Sequence, residues 1–350
     1  MNWTRKLLLW YAENKRSFLW RDNREPYNIW LSEVILQQTR TDQGLPYFER
    51  FLTAFPTIEA LAMAKEDEVL KLWQGLGYYS RARNLHFTAQ YIHNELDGVF
   101  PKTFESLLEL KGVGDYTASA IASICFDIPQ AVVDGNVFRF LSRYFGILTP
   151  INSSSAHKEF KNKAMELMGQ NHPGTFNQAL MEFGSLHCTP KKPKCPSCPF
   201  AKNCIAFNQD KINLLPVKTS KIKIKKRYFN YLVVSDPKHQ FMMQKRTQKG
   251  IWQNLYEFPL VESSKTINSV DELTSQVNFP QKLKLLSPQI KLWNQKPIIH
   301  KLSHQSLLIN FWEINIEKSF SDGYNQDALM GLAVPVVIQN FIRKFFSIDL

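Results

Sequence analysis

The segment Leu110-Lys-Gly-Val-Gly-Asp-Tyr-Thr-Ala-Ser-Ala120 sets Gly112 and Gly114 at the entrance to a run of small residues. A dinucleotide fingerprint would need a preceding strand and a third glycine in the next slot. That slot holds Thr117, and the preceding Phe104-Glu-Ser-Leu-Leu-Glu-Leu110 carries apolar residues at 104, 107, 108 and, out of strict register, 110, which suits a helix better than a strand. The unit reads as helix, tight glycine turn, helix. Backbone amides at such a helix start can approach a phosphate closely because no Cβ intervenes at Gly112 or Gly114, while Val113 packs the turn.

The 350 residues allow two domains, and 44% hydrophobic content gives each a core. Lysine and arginine outnumber aspartate and glutamate by 43 to 31, a net charge of +12 that directs attention to a polyanionic partner. The opening apolar core, Leu7 to Ala12, is followed at once by Glu13, Lys15 and Arg16, and reads as an amphipathic helix with no export. No run approaches the roughly 20 apolar residues of a membrane-spanning helix. Five cysteines, an odd number, do not look like a secreted disulfide framework, so a reducing, cytoplasmic compartment and no membrane are expected. Helical periodicity dominates residues 1–210. A basic linker over 211–227 follows, and Tyr228–Val234, Phe241–Lys245 and Ser306–Ile314 then read as strands before a closing helix over Ala333–Phe346. The expected architecture is an all-α domain over 1–210 and a smaller α+β domain over 228–350.

Four cysteines end the helical part at Cys188, Cys195, Cys198 and Cys204, a C-x6-C-x2-C-x5-C spacing within one loop-rich segment. Four thiolates so close together read as metal ligands. Zinc more often uses two separated C-x2-C knuckles, so the spacing favours a [4Fe-4S] cluster, with zinc the alternative. Cys125 lies in an apolar helix and reads as a core residue.

The cysteine pattern after a helix, Gly-Val-Gly, helix unit resembles the endonuclease III superfamily of DNA glycosylases, whose glycine turn is a helix-hairpin-helix motif. Trp30–Thr39, Val132–Arg139, Gly75–Arg81 and the added second domain resemble more closely the MutY-type adenine-DNA glycosylases. Tyr116 stands where strand-cutting relatives carry a lysine that forms a Schiff base, and tyrosine has no amine to do so. The resemblance implies a monofunctional, monomeric enzyme, bacterial and nucleoid-associated, that hydrolyses the N-glycosidic bond of adenine opposite 8-oxoguanine or guanine in duplex DNA, with a [4Fe-4S] cluster in its 188–204 loop. The alternatives are an endonuclease III-like glycosylase and lyase on oxidised pyrimidines, or a DNA-binding protein without catalysis. Tyr116 and the second domain argue against the first. The carboxylates Glu33 and Asp134 argue against the second.

The helical neighbours of Glu33 are Ile29, Trp30, Leu36 and Gln37, a face apolar apart from one amide. Burial there would raise its pKa, as a proton donor to adenine N7 requires; the plain alternative is a surface glutamate or a helix-start charge. Asp134 precedes a helix bearing Val137, Phe138, Phe140 and Leu141 and reads as an N-cap. By resemblance it also stabilises the oxocarbenium-like sugar, with Asn136 and Tyr116 assisting. Gln37, Gln38 and Tyr78 match positions that fill the stack vacated by the flipped base, and Lys191, Lys192 and Lys194 in the cluster loop are placed to meet phosphate.

The second domain resembles a Nudix-like fold through Gly250–Pro259. It lacks the acidic helix that would hold Mg2+, so phosphohydrolase chemistry is not expected. The family's Phe-Ser-His loop, implied to read the lesion, is here Leu302-Ser303-His304.

Overall fold

A computed structural model describes residues 2–21, 23–169, 172–219, 224–286 and 288–347. The chain forms two compact units, one of Met1–Met63 with Asn84–Ser220 and one of Ala64–Arg83 with Lys221–Leu350.

The first unit is helical. Its helices are α1 (Trp3–Asn14), α2 (Pro26–Leu36), α3 (Thr41–Ala54) and α4 (Ile58–Met63), and, beyond α5 (Glu66–Leu72) of the second unit, α6 (Ser80–Glu95) from Asn84 onward. There follow α7 (Phe104–Leu108), α8 (Asp115–Cys125), α9 (Gly135–Phe145), α10 (Ala156–Met168), α11 (Pro173–Leu186) and α12 (Ile205–Asn208). Helix α2 starts on Pro26, whose missing N–H costs nothing at a first helical position. It is apolar nearly all round, and a helix of that kind must lie inside the protein. Ile29, Trp30, Leu31, Val34 and Ile35 are all buried. Helix α8 packs against α2 and α11 through small side chains, Ala118, Ser119, Ala120, Ala122 and Ser123. A Cβ at Gly174 of α11 would come within 2.8 Å of the Ile124 backbone, so the approach of α8 and α11 requires glycine there. Leu7 and Tyr11 of α1 join Phe140, Phe160, Phe176 and Phe183 in one core. The expected all-helical unit, with its helix, turn, helix at α7 and α8, is present. Cys125 differs from expectation: it closes α8 and is only half-buried, because the apolar face of the helix has turned inward one residue earlier at Ile124.

The second unit carries a sheet in the order β4 (Leu260–Ser263), β1 (Lys225–Ser235), β7 (Gln305–Asn315) and β5 (Gln289–Leu292), with β6 (Ile298–Lys301) also pairing β7. Strands β1 and β7 are parallel and the other pairs antiparallel. The short β2 (Gln244–Lys245) and β3 (Tyr256–Glu257) form a separate ladder. The strand expected over Phe241–Lys245 is therefore broken. Phe241 bridges to both Ser235 and Tyr324, and only the last two residues join the ladder. Helices α13 (Val270–Thr274), α14 (Gln281–Leu285), α15 (Gln326–Gly331) and α16 (Val336–Phe345) complete the unit. The closing helix begins at Val336 instead of Ala333, since Pro335 biases the residue before it toward extended backbone. Its Phe341 stacks on Phe311 of β7 with ring centroids 3.9 Å apart.

Candidate active site

Because α2 is buried on nearly every side, Glu33 is largely shielded from bulk water; 8% of the residue is exposed. Burial pushes its carboxyl up to about 7, against a hydrogen bond from Tyr116, which lowers it; the neighbouring Asp134 adds a further upward push. The Tyr116 hydroxyl also lies 3.5 Å from the Met181 sulfur, and burial raises its own pKa well above the ordinary phenol value.

Asp134 caps α9, as its position predicts. Oδ1 accepts from the backbone N–H groups of Asn136 at 2.9 Å and Val137 at 2.8 Å, and Oδ2 accepts from Asn136 Nδ2 at 2.7 Å. Burial raises the Asp134 pKa despite these bonds. Asn136 is held from behind by Arg139, whose Nη2 donates to Asn136 Oδ1 at 2.9 Å and whose Nε donates to the Cys188 carbonyl at 2.7 Å. Gly184 of α11 lets this end of α9 come close, since a Cβ there would lie 2.6 Å from the Asn136 carbonyl oxygen.

Glu33, Tyr116, Asp134 and Asn136 line one cavity, so the four residues singled out for chemistry are brought together. Sequence reasoning missed the opposite wall. Arg16 and Arg21 both bind the buried Glu182: Arg16 Nε and Nη2 each lie 2.8 Å from a Glu182 oxygen, and Arg21 Nη2 lies 2.9 Å away. Burial pushes the Glu182 carboxyl up, but the arginine hydrogen bonds outweigh it and hold the group at about 2. Phe18 and Trp20 stack at 4.9 Å and 7° beside them, and Arg21 lies over the Phe18 ring. The partners stand more than 150 residues apart, beyond any local periodicity. Such a wall offers a flat apolar surface and fixed donors to a planar heterocycle.

At the hairpin, Gly112 has φ +83° with Asn84 packed against it, so only glycine fits that turn. Gly114 is the N-cap of α8 with no side-chain cap, is exposed, and faces open space, while Val113 is buried. The first-turn amides of α8 thus have no partner within their own helix. Gln37 Nε2 donates to Thr117 Oγ1 at 3.3 Å, and Gln38 is exposed in a left-handed turn with φ 57°.

Cys188, Cys195, Cys198 and Cys204 line a single pocket with Phe140, Phe183 and Phe200. Arg143 Nη1 lies 3.6 Å from the Cys188 sulfur, and the Cys204 thiol donates to the Arg143 carbonyl at 3.5 Å. Burial pushes the Cys198 thiol up to about 11. Among the described residues no three His, Cys, Asp or Glu side chains converge as ligands of one metal ion. Lys191, Lys192 and Lys194 are exposed on the same loop.

In the second unit, Tyr78 is half-exposed with φ 48°, between Gly77 with φ 73° and the start of α6. Its hydroxyl is hydrogen-bonded to Ser303 Oγ. Ser303 and His304 are exposed in the tight β6–β7 turn, closed by the Leu302 N–H to the Gln305 carbonyl at 2.8 Å. Tyr78, Ser303, His304, Trp252 and His300 line one cavity. Of the acids in the region where a Nudix helix would lie, Glu262 is bound by Arg227 and Glu272 accepts from the Asn268 N–H.

Residues 31–169 match the HhH-GPD superfamily of base excision DNA repair proteins, and residues 230–344 match the NUDIX domain. Together with the buried acid and the exposed hairpin these define the class: a helix-hairpin-helix DNA repair glycosylase with a Nudix-like second domain. The adenine DNA glycosylase of Buchnera aphidicola subsp. Schizaphis graminum is 36% identical over 349 residues, covering 97% of each chain. That of Rattus norvegicus is 43% identical over 61% of this chain and 43% of its own. A thermostable thymine-DNA glycosylase superposes with a TM-score of 0.55 at 29% identity, over 59% of this chain and 95% of that one. The chain belongs to the adenine DNA glycosylase family, base excision repair enzymes that act on DNA and hydrolyse the N-glycosyl bond of adenine. Among the described residues no helix is long and apolar enough to cross a membrane.

Proposed function

We propose that the substrate is adenine paired with 8-oxoguanine or guanine, and that the enzyme is a cytoplasmic, nucleoid-associated monomer that excises the base without cutting the strand. The observation that carries the chemistry is a buried, Tyr116-bonded Glu33 in one cavity with Asp134. The flipped base enters against Phe18 and Trp20. Protonated Glu33 gives its proton to adenine N7, the N-glycosidic bond breaks with its electron pair passing to the base, and the Asp134 carboxylate stabilises the positive charge left at C1′. Glu33, now ionised, takes a proton from water as the oxygen attacks C1′, leaving adenine and an abasic sugar. Tyr116 and Asn136 hold the two carboxylates in place.

Gly112, Val113 and Gly114 bind a DNA phosphate, with Lys191, Lys192 and Lys194 adding charge. Gln37, Gln38 and Tyr78 occupy the vacated stack, two of them in left-handed backbone that costs energy and persists at functional sites. Ser303 and His304 read the 8-oxo edge. Four cysteines around one pocket walled by Phe140, Phe183 and Phe200 suit a [4Fe-4S] cluster, which when bound would tie the basic loop to the helical unit and supply no step of the hydrolysis.

Single-turnover excision on duplexes that differ only in one base pair tests the proposal. Adenine should be released fastest opposite 8-oxoguanine and next opposite guanine. Borohydride should trap no protein on the DNA, since no lysine stands at position 116; an efficient covalent complex would refute strand-preserving excision.

A further inference from the structure

The hairpin that is read as the phosphate site carries an acid at its mouth. Asp115 is the first residue of α8, directly after Gly114. A carboxylate there is well placed to satisfy the helix's own first-turn amides, and it opposes the approach of a phosphate to the same groups. In this structure it is turned away by α10. Lys161 Nζ lies 2.6 Å from Asp115 Oδ2 and 3.2 Å from Ser119 Oγ, and sits 4.5 Å from the centroid of the Phe104 ring on α7. His157 Nε2 stands 3.4 Å from the other Asp115 oxygen. Only 15% of the Lys161 side chain is exposed, against 38% of Asp115, so the pair is shielded from solvent on its lysine side. One lysine thus touches both helices of the hairpin and holds the first-turn acid of α8.

We propose that Lys161 is a positioning residue for DNA binding: by holding Asp115 it keeps the amides of the α8 N-terminus available to a DNA phosphate and offsets the charge that would repel it. The proposal rests on the reading of the hairpin as a phosphate site.

The test measures duplex dissociation constants at one salt concentration in the Glu33→Gln background, so that the DNA stays intact. Lys161→Met should weaken binding about tenfold, the scale of one charge at a helix terminus. Asp115→Asn added to Lys161→Met should restore most of it, because the competitor is removed along with its keeper. Lys161→Arg should bind nearly as the parent. With Glu33 intact, Lys161→Met at saturating protein should excise adenine at the parental rate. Unchanged binding in Lys161→Met overturns the proposal, and so does a loss that Asp115→Asn fails to restore, which would make Lys161 a packing staple only. Gly114→Val is the control for the underlying reading. If it binds as the parent, the hairpin reading falls; if it binds poorly while Lys161→Met does not, only the role of Lys161 falls.

Discussion

A glutamate that holds its proton near neutrality is a stability liability as well as the proton donor of the proposed mechanism. The Glu33 carboxyl rises from 4.5 to about 7 on folding, chiefly through burial. Its favourable contribution is complete below pH 4.5, where both folded and unfolded forms are protonated, and is lost as pH rises through about 7. Two outcomes are expected. Excision at saturating protein should fall as pH rises through about 7 in the parent, while Glu33→Gln should be slower by at least ~100-fold with no such limb. Thermal melts should show Glu33→Gln gaining on the parent between pH 4.5 and 7, because the amide never has to be buried charged. A melting difference that stays constant with pH would place the proton elsewhere. This residue was legible in the sequence because its helical neighbours are contiguous in the chain. Arg16, Arg21 and Glu182 were not, because their contacts join α11 to the segment after α1, and no spacing rule spans that distance.

On the proposed mechanism helix α9 does two jobs through one side chain, and the two separate by substitution. Asp134 caps the helix with a pair of backbone bonds and also presents a carboxylate to the cavity. Asp134→Ala should lose excision and also about 1 kcal/mol of stability, the usual worth of a cap. Asp134→Ser keeps a capping oxygen without the charge, and should melt near the parent while remaining inactive. If Ser and Ala variants are equally destabilised, the cap is not what Asp134 contributes to the fold. The cluster loop has its own test. Purified anaerobically, the protein should contain about four irons per chain on cubane stoichiometry, and Cys198→Ser should lower soluble yield and weaken DNA binding. A fully active protein holding one zinc would make the loop a zinc site. Elements built from one contiguous apolar or small-residue run, such as α2, α8, β1 and β7, were readable from sequence. The segment from Phe241 was not: its residues bond to two different partners, and a local alternation pattern cannot show where a strand's partner changes.

For the molecule as a whole, the proposed function assigns excision of adenine and reading of the base opposite it to side chains of different units. The residues proposed to handle the base, Glu33, Tyr116 and Asp134, lie in the first unit; Tyr78, Ser303 and His304, proposed to meet the opposite base, lie in the second. On the resemblance to the MutY-type loop, Leu302 stands in place of an aromatic that would mainly pack, whereas Ser303 and His304 supply a hydroxyl and an imidazole that can hydrogen-bond an 8-oxo edge. The Tyr78 hydroxyl is bonded to Ser303, so the proposed wedge and the proposed reader share one contact. Ser303→Ala with His304→Ala should therefore still remove adenine opposite guanine while losing most of the preference for 8-oxoguanine, a discrimination of about 1–3 kcal/mol for lost base-edge contacts. The measurement is the ratio of single-turnover rates, and of dissociation constants, on the two duplexes for parent and double variant at one salt concentration. Tyr78→Phe supplies the comparison, since it removes the hydroxyl that meets Ser303 and keeps the ring: a ratio that falls in the double variant alone assigns lesion reading to the β6–β7 turn. An unchanged ratio in the double variant would move that role to Gln38 and Tyr78.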